Sequence, residues 1–152
     1  MTRKELAMSY FEEGYNCSQS VLLAFQNCTD IDAEYLAKIA SSFGGGIGRM
    51  REVCGAVSGM CMACGLISGY SDPKAQAGKS EHYARIRALA DEFKARNGSI
   101  ICRELLGLEK KEESSEPMPR TPEFYHKRPC KELVGMAAEI LESSLKEKAE
   151  VS

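Results

Sequence analysis

The sequence predicts an all-α, single-domain helical bundle of about six or seven helices, with a glycine-rich turn in front of a core helix of small residues. Apolar residues recur at helical spacing along most of the chain, and no segment shows the strict alternation of a half-buried strand. Residues 41–70 concentrate a triple glycine, two arginines and three of the seven cysteines. Because 152 residues can bury one substantial core, we expect residues 1–152 to form a single domain.

Cap and stop residues set the predicted helix ends. Asn16 and Ser99 are good N-caps, Gly14 and Gly98 are typical helix stops, and Pro73 suits a first helical position. The predicted helices cover residues 2–13, 17–26, 29–43, about 50–67, 73–96, 100–106 and 129–146. Their expected buried faces include Leu6, Phe11, Val21, Phe25, Tyr35, Leu36, Ile39, His82, Tyr83, Leu89, Phe93, Leu133, Val134, Ile140 and Leu141.

The fourth predicted helix has glycines four residues apart, at Gly55 and Gly59. A glycine inside a helix costs about 1 kcal/mol relative to alanine, so two of them suggest tight packing or a site at this face. The partner is expected to be another helix of this chain or of a second copy, which would make a homodimer. Residues 108–122, rich in Glu, Ser and Pro, are expected to form a mobile loop.

Composition excludes several classes of function. Lys plus Arg number 20 and Asp plus Glu 22, which gives no basic surface for nucleic acid or an anionic membrane. Residues 53–71 carry no charge, but glycines and serines interrupt them, which favours a buried helix over a membrane span. The N-terminus has no apolar signal region, so we expect a cytoplasmic protein with reduced thiols.

Four cysteines share a position in the predicted fold: Cys17, Cys54, Cys102 and Cys130 each lie at or near a helix start. Unpaired backbone N–H groups at a helix N-terminus stabilise a thiolate, the form that binds metal and attacks disulfides. Four such helix starts meeting in one bundle would build a pocket of four thiolates. The alternative is that these cysteines pack as small apolar side chains.

The other cysteines and the two histidines give weaker signals. Cys61 and Cys64 have CxxC spacing but lie mid-helix, which favours core packing, and the missing histidine after them excludes a haem-attachment motif. Cys28 is expected to be structural or incidental. His82 is expected in the core, whereas His126 either polarises the Cys130 thiol or lies on a surface loop.

The glycines of the turn, Gly44, Gly45, Gly46 and Gly48, do not match a nucleotide-binding motif, since the lysine of a P-loop and the third glycine of a Rossmann fingerprint are absent. They predict a turn whose backbone N–H groups reach a thiolate, a cluster sulfur or another anion. Arg49 and Arg51 would add positive charge there, or lie exposed.

Four separated elements resemble, in order, the C_GCAxxG_C_C family, a small family named for its cysteine pattern and associated with redox activity. They are Gly14-Tyr15-Asn16-Cys17-Ser18-Gln19-Ser20-Val21, Phe43-Gly44-Gly45-Gly46-Ile47-Gly48, Cys54-Gly55-Ala56-Val57-Ser58-Gly59, and the single cysteines Cys102 and Cys130. The resemblance covers about residues 8–140 and implies that Cys17, Cys54, Cys102 and Cys130 are the functional set. More distantly, the family is similar to the cluster-bearing part of split-Soret cytochrome c, which implies an iron–sulfur centre without haem.

Three hypotheses follow. In the first, the four cysteines bind a metal centre, with [2Fe–2S] favoured, and pass electrons to a redox partner protein. In the second, a metal-free thiol–disulfide protein uses Cys17 or Cys54 as the attacking thiol and another of the four to resolve. In the third, the chain is a structural zinc-binding or purely packed helical interaction module. Whether it is an enzyme is left open.

Overall fold

A computed structural model describes residues 1–107 and 129–151, and the side chains of residues 147–151 are not described. In this part of the chain seven α-helices form one bundle, as the sequence predicts. They are α1 (Arg3–Glu12), α2 (Cys17–Leu23), α3 (Ala33–Ser41), α4 (Gly55–Ser68), α5 (Gln76–Asn97), α6 (Cys102–Leu105) and α7 (Cys130–Val151).

Helix α2 lies at the centre of the bundle. It contacts α1, α3, α4 and α7, while α1 packs along α7 and α5 contacts both α4 and α7. The core between them is filled by large apolar side chains that are almost fully buried: Phe11, Leu22, Phe25, Leu36, Met60, Phe93, Val134, Ile140 and Leu141. The short α6 adds no large core surface, and its importance lies in where it places Cys102.

The glycine spacing in α4 does what the sequence predicts, because it lets α4 approach α2 closely. A Cβ atom on Gly59 would lie 2.6 Å from the carbonyl oxygen of Ser18, and one on Gly55 would lie 3.0 Å from Cβ of Cys17. The distance at Gly59 leaves no room for a side chain, and the one at Gly55 would force a neighbouring atom to move. The partner of this face is therefore a helix of the same chain.

The start of α4 differs from the prediction. Residues 50–54 are not helical, since Val53 forms an isolated antiparallel bridge with Ile101 and the Cys54 N–H donates to the Ile100 carbonyl at 2.8 Å. This pairing uses backbone groups that a helix would need, so α4 begins at Gly55 with Cys54 as its N-cap residue.

Four other helix ends were predicted wrongly. Helix α2 ends at Leu23 and is followed by a 3₁₀ turn, Gln26–Cys28, so α3 starts only at Ala33. Helix α5 starts at Gln76 rather than at the proline, because the Lys74 N–H bonds the Asp72 side chain and holds a separate turn. Ile101, not Ser99, occupies the N-cap position of α6.

Two predicted buried faces were partly wrong. Tyr35 and Ile39 are 63% and 52% exposed because α3 is peripheral and packs mainly on α2. Tyr83 is 56% exposed, and its hydroxyl lies 2.9 Å from that of Tyr70 on the surface of α5. His82 is half-buried beside the Tyr70 ring rather than enclosed in the core.

In the described part of the chain no helix combines the length and the apolar character that crossing a membrane requires. The loop predicted at 108–122 falls outside the described residues, and so does His126, for which the two alternatives stay predictions.

Candidate functional site

The four cysteines at predicted helix starts line one cavity. Cys17, Cys102 and Cys130 are each the first residue of a helix, and Cys54 directly precedes one. The cavity measures about 20 Å³, room for roughly one water molecule. It is lined by Cys17, Gly45, Gly46, Arg51, Cys54, Gly55, Cys102, Leu105, Leu106, Cys130 and Leu133.

A reciprocal cap fixes the start of α2 and therefore Cys17. The Asn16 side chain accepts from the Gln19 N–H at 2.9 Å, and the Gln19 side chain accepts from the Asn16 N–H at 3.0 Å. The Asn16 amide also donates to the Ser41 carbonyl at 3.1 Å, which ties this cap to the end of α3. Two backbone donors are thus satisfied next to Cys17, and the thiol has a fixed starting position.

Backbone pairing between two distant segments brings Cys54 and Cys102 together. The Cys102 N–H donates to the Glu52 carbonyl at 2.6 Å, and the Arg103 N–H donates to the Arg51 carbonyl at 3.2 Å. Together with the bond from the Cys54 N–H to Ile100, these contacts align the starts of α4 and α6 side by side. Main-chain contacts thus bring together two cysteines that are 48 residues apart.

The turn before this pairing is left-handed over five consecutive residues. Gly45, Gly46, Ile47, Gly48 and Arg49 all have φ between 52° and 73°, and Arg51 follows at 62°. A non-glycine residue in this region costs roughly 1–2 kcal/mol, and a β-branched one such as Ile47 is unusual there. Hydrogen bonds from Arg51 N–H to Gly45 and from Glu52 N–H to Gly46, at 3.1 and 2.9 Å, hold the strained chain.

The four glycines predicted to bind a ligand separate into two pairs. Gly45 and Gly46 line the cavity, and a Cβ on Gly46 would lie 2.8 Å from Cβ of Cys102. Gly44 instead sits against Asn16, where a Cβ would come within 2.5 Å of the side-chain nitrogen. A Cβ on Gly48 would meet open space. The turn thus contributes bare backbone to the cavity at two of the four positions.

Burial and mutual proximity raise the pKa of two of these thiols, Cys17 and Cys54. Cys17 shares a side-chain hydrogen bond with Cys130; this bond, then burial, and then the other three thiols raise the pKa of Cys17 well above its ordinary value. Burial raises the pKa of Cys54 to about 12, although the nearby N–H groups of Ala56 and Val57 act in the opposite direction. The expected stabilisation of thiolates by helix starts is therefore outweighed at Cys54 by desolvation.

One buried cation contacts this set of thiols. Arg51 is only 7% exposed, and its Nη1 donates to the Cys102 sulfur at 3.6 Å. The sequence left open whether Arg51 lies exposed or adds charge at the site, and the structure places it in the wall of the cavity.

The donor set suits a soft metal centre, since thiolates are the ligands of zinc and of iron–sulfur clusters. However, within residues 1–107 and 129–151 no group of three or more His, Cys, Asp or Glu side chains is placed to hold a metal ion. Binding would therefore have to rearrange the sulfur atoms and displace their protons, as is common where metal binding and local folding are linked.

Comparison with known proteins gives one match. The family model described as "Putative redox-active protein (C_GCAxxG_C_C)" matches residues 15–144. The chain belongs to the C_GCAxxG_C_C family. No curated protein and no solved structure matches it. The resemblance drawn from the sequence motifs is thus confirmed.

In this member of the C_GCAxxG_C_C family the other three cysteines lie away from the cavity. Cys64 is fully buried in α4 and its sulfur lies 3.9 Å from the Ser68 hydroxyl, while Cys61 is half-buried against the core. Burial, and secondarily Cys64, raises the pKa of Cys61 to about 11. Cys28 is exposed beside Arg3, at 3.4 Å from a guanidinium nitrogen.

Sequence reasoning missed the apolar wall of the cavity. Leu105 and Leu106 follow Cys102 by three and four residues, and Leu133 follows Cys130 by three. Residues at this spacing share a helix face, so the pattern of a cysteine with a leucine one turn later could have identified them. These side chains make the surroundings of the sulfur atoms largely apolar.

Proposed function

We propose that this protein is an electron-transfer protein in which Cys17, Cys54, Cys102 and Cys130 hold an iron–sulfur centre. The observation that carries the proposal is that the four helix-start cysteines, distant in sequence, all line one small cavity. The family description points to redox activity, and zinc has no redox chemistry, which favours iron over zinc. Of the clusters held by four cysteines, [2Fe–2S] is the smaller, so it would need the smaller rearrangement of a cavity of about 20 Å³.

The residues around the sulfur atoms would support such a centre. When bound, the centre would supply reversible one-electron chemistry. The leucines would limit water at the sulfur atoms, and Gly45 and Gly46 would let the backbone approach them without a side chain intervening. Polarity and hydrogen bonding around cluster sulfurs set the reduction potential, so this wall is part of the proposed redox site. The physiological electron partner would be another protein.

A second function, a metal-free thiol–disulfide protein, is favoured by one contact. Cys17 and Cys130 share a hydrogen bond between their side chains, which makes them a candidate pair for disulfide formation. Their oxidation would release two protons and pass two electrons to a partner disulfide. The raised pKa of Cys17 disfavours this function, since the thiolate is the attacking form.

The test is to purify the chain without oxygen and to measure iron, labile sulfide, zinc and the visible absorption spectrum. The expected result is iron and sulfide in near-equal amounts, with a sharp loss in each serine variant of Cys17, Cys54, Cys102 and Cys130. Cys28→Ser and Cys61→Ser are the matched controls, because these residues lie outside the cavity, and they should keep the full iron content.

Three results would contradict the iron–sulfur proposal. Zinc alone would indicate a structural module. A second contradicting result is protein that stays metal-free after cluster reconstitution, under conditions that load a known ferredoxin in parallel. The dithiol function would then remain, and it predicts that mass spectrometry finds a Cys17–Cys130 disulfide after mild oxidation. Equal iron content in all variants would mean that the metal is bound elsewhere.

A further inference from the structure

Arg51 lies in the wall of the cavity as a buried cation beside a sulfur atom. Its side chain is 7% exposed, and its Nη1 lies 3.6 Å from the sulfur of Cys102. Arginine stays protonated at any ordinary pH, so the positive charge at this position is permanent. A buried charge is costly unless an opposite charge or hydrogen-bond acceptors compensate it, and a thiolate of Cys102 would be an opposite charge at contact distance.

The backbone of Arg51 is fixed on both sides. Its N–H donates to the Gly45 carbonyl at 3.1 Å, and its carbonyl accepts from the Arg103 N–H at 3.2 Å. Its φ of 62° is in the left-handed region, which a long side chain adopts only when its surroundings impose it. The strained turn therefore has a structural result: it points a guanidinium at the thiol set rather than at solvent.

Ligation would change the charge of the cavity. Four thiolates bring four negative charges into largely apolar surroundings, and a [2Fe–2S] centre in its oxidised form offsets only two of them. Reduction would then add one more electron to a site that is already negative. A fixed positive charge at contact distance lowers the cost of that electron, because electrostatic interactions are strong where water is scarce.

We infer that Arg51 is a positioning residue that sets the reduction potential of the thiol-ligated centre, through its charge and its contact with Cys102. This inference rests on the proposed iron–sulfur function. Arg51 stabilises the reduced form more than the oxidised form, so it keeps the potential higher than the four thiolates alone would give. The effect comes from a charge that does not titrate.

A neighbouring arginine provides the matched control. Arg103 follows the same cysteine, but its guanidinium is about one-third exposed and pairs with the Glu52 carboxylate at 3.3 Å. Its charge is therefore compensated and partly screened by solvent. Arg103→Gln removes one positive charge from the same region and a long hydrogen bond, 3.4 Å, from Nη1 to the Arg51 carbonyl, while it keeps the guanidinium that contacts the sulfur.

The experiment is a redox titration with mediator dyes on the iron-loaded wild-type protein and on Arg51→Gln, Arg51→Lys and Arg103→Gln. In Arg51→Gln the equilibrium constant for one-electron reduction should fall by at least about tenfold, a shift of about 59 mV to lower potential. Arg51→Lys keeps the charge and should recover most of the shift. Arg103→Gln should stay close to the wild type.

Some variants could lose the centre, and this outcome is also decisive. If Arg51→Gln is folded by circular dichroism but contains no iron, iron uptake replaces the potential as the quantity compared. Iron uptake by Arg51→Lys would then support a requirement for positive charge at this position. If both Arg51 variants lose iron alike, the side-chain shape matters and the inference is wrong.

Failure of this inference is distinguishable from failure of the proposed function. If the wild type binds the iron–sulfur centre but Arg51→Gln has the same reduction potential, only the role of Arg51 is overturned. Equal shifts in Arg51→Gln and Arg103→Gln would show a general effect of net charge and would also overturn it. A wild type without iron and sulfide overturns both proposals together.

Discussion

Substituting Gly59 by alanine tests whether the close approach of α4 to α2 holds the fold together. The added Cβ would lie 2.6 Å from the Ser18 carbonyl oxygen and 3.0 Å from Cβ of Val21. The first contact is with backbone, which cannot rotate away, so one helix must shift. Since Ser18 follows Cys17 directly, a shift of α2 would also move a thiol of the site.

The expected magnitude combines two opposing terms. Alanine is a better helix former than glycine by about 1 kcal/mol, which favours the variant. Overpacking a filled interior typically costs about 1–3 kcal/mol, and contact with backbone belongs to the upper part of that range. Gly59→Ala should therefore lower the free energy of unfolding by up to about 2 kcal/mol.

Gly65 on the same helix is the matched control. A Cβ there would meet nothing within 4 Å, so Gly65→Ala keeps the propensity gain without the clash. It should raise the free energy of unfolding by up to about 1 kcal/mol. The propensity term cancels between the two variants, so their difference, about 1–3 kcal/mol, measures the clash alone.

Urea unfolding followed by circular dichroism, at the same metal loading for all proteins, measures both values. The slope of unfolding free energy against urea must agree among the variants for the comparison to hold. If Gly59→Ala is as stable as Gly65→Ala, the close packing of α4 on α2 is refuted.

Two further predictions concern the cap of α2 and the buried thiols. Asn16→Ala removes the reciprocal cap and the bond to Ser41, and should cost about 0.5–2 kcal/mol by urea unfolding. In metal-free protein the pKa of Cys54 is about 12 against an ordinary 9.0, so the folded state holds this proton more tightly than the unfolded state. The resulting stability is fully present below pH 9.0 and is lost as the pH rises towards about 12, by at most about 1.4 kcal/mol per pH unit. Cys54→Ser should flatten this decline between pH 9 and 11, and an unchanged slope would count against a buried neutral thiol.

Local signals in the sequence were sufficient to predict the all-α fold class and the helix ends that have strong caps. Asn16 with Gln19 forms the predicted start of α2, and Gly98, at a φ of 89°, ends α5. These features depend on neighbours in sequence, which a single chain displays directly. Predictions failed where distant residues compete: Val53 pairs with Ile101 and delays α4, and the peripheral position of α3 leaves Ile39 exposed.

The sequence by itself determined the family and singled out four candidate residues, because Cys17, Cys54, Cys102 and Cys130 stand at helix starts and match the pattern of the C_GCAxxG_C_C family. Only the tertiary structure decided that these four line one cavity while Cys28, Cys61 and Cys64 lie outside it. It also decided that Arg51 is buried against Cys102 instead of exposed. The physical reason is that burial and proximity depend on contacts between segments about 50 residues apart, such as the bond from Cys102 N–H to Glu52, and no local pattern encodes those contacts.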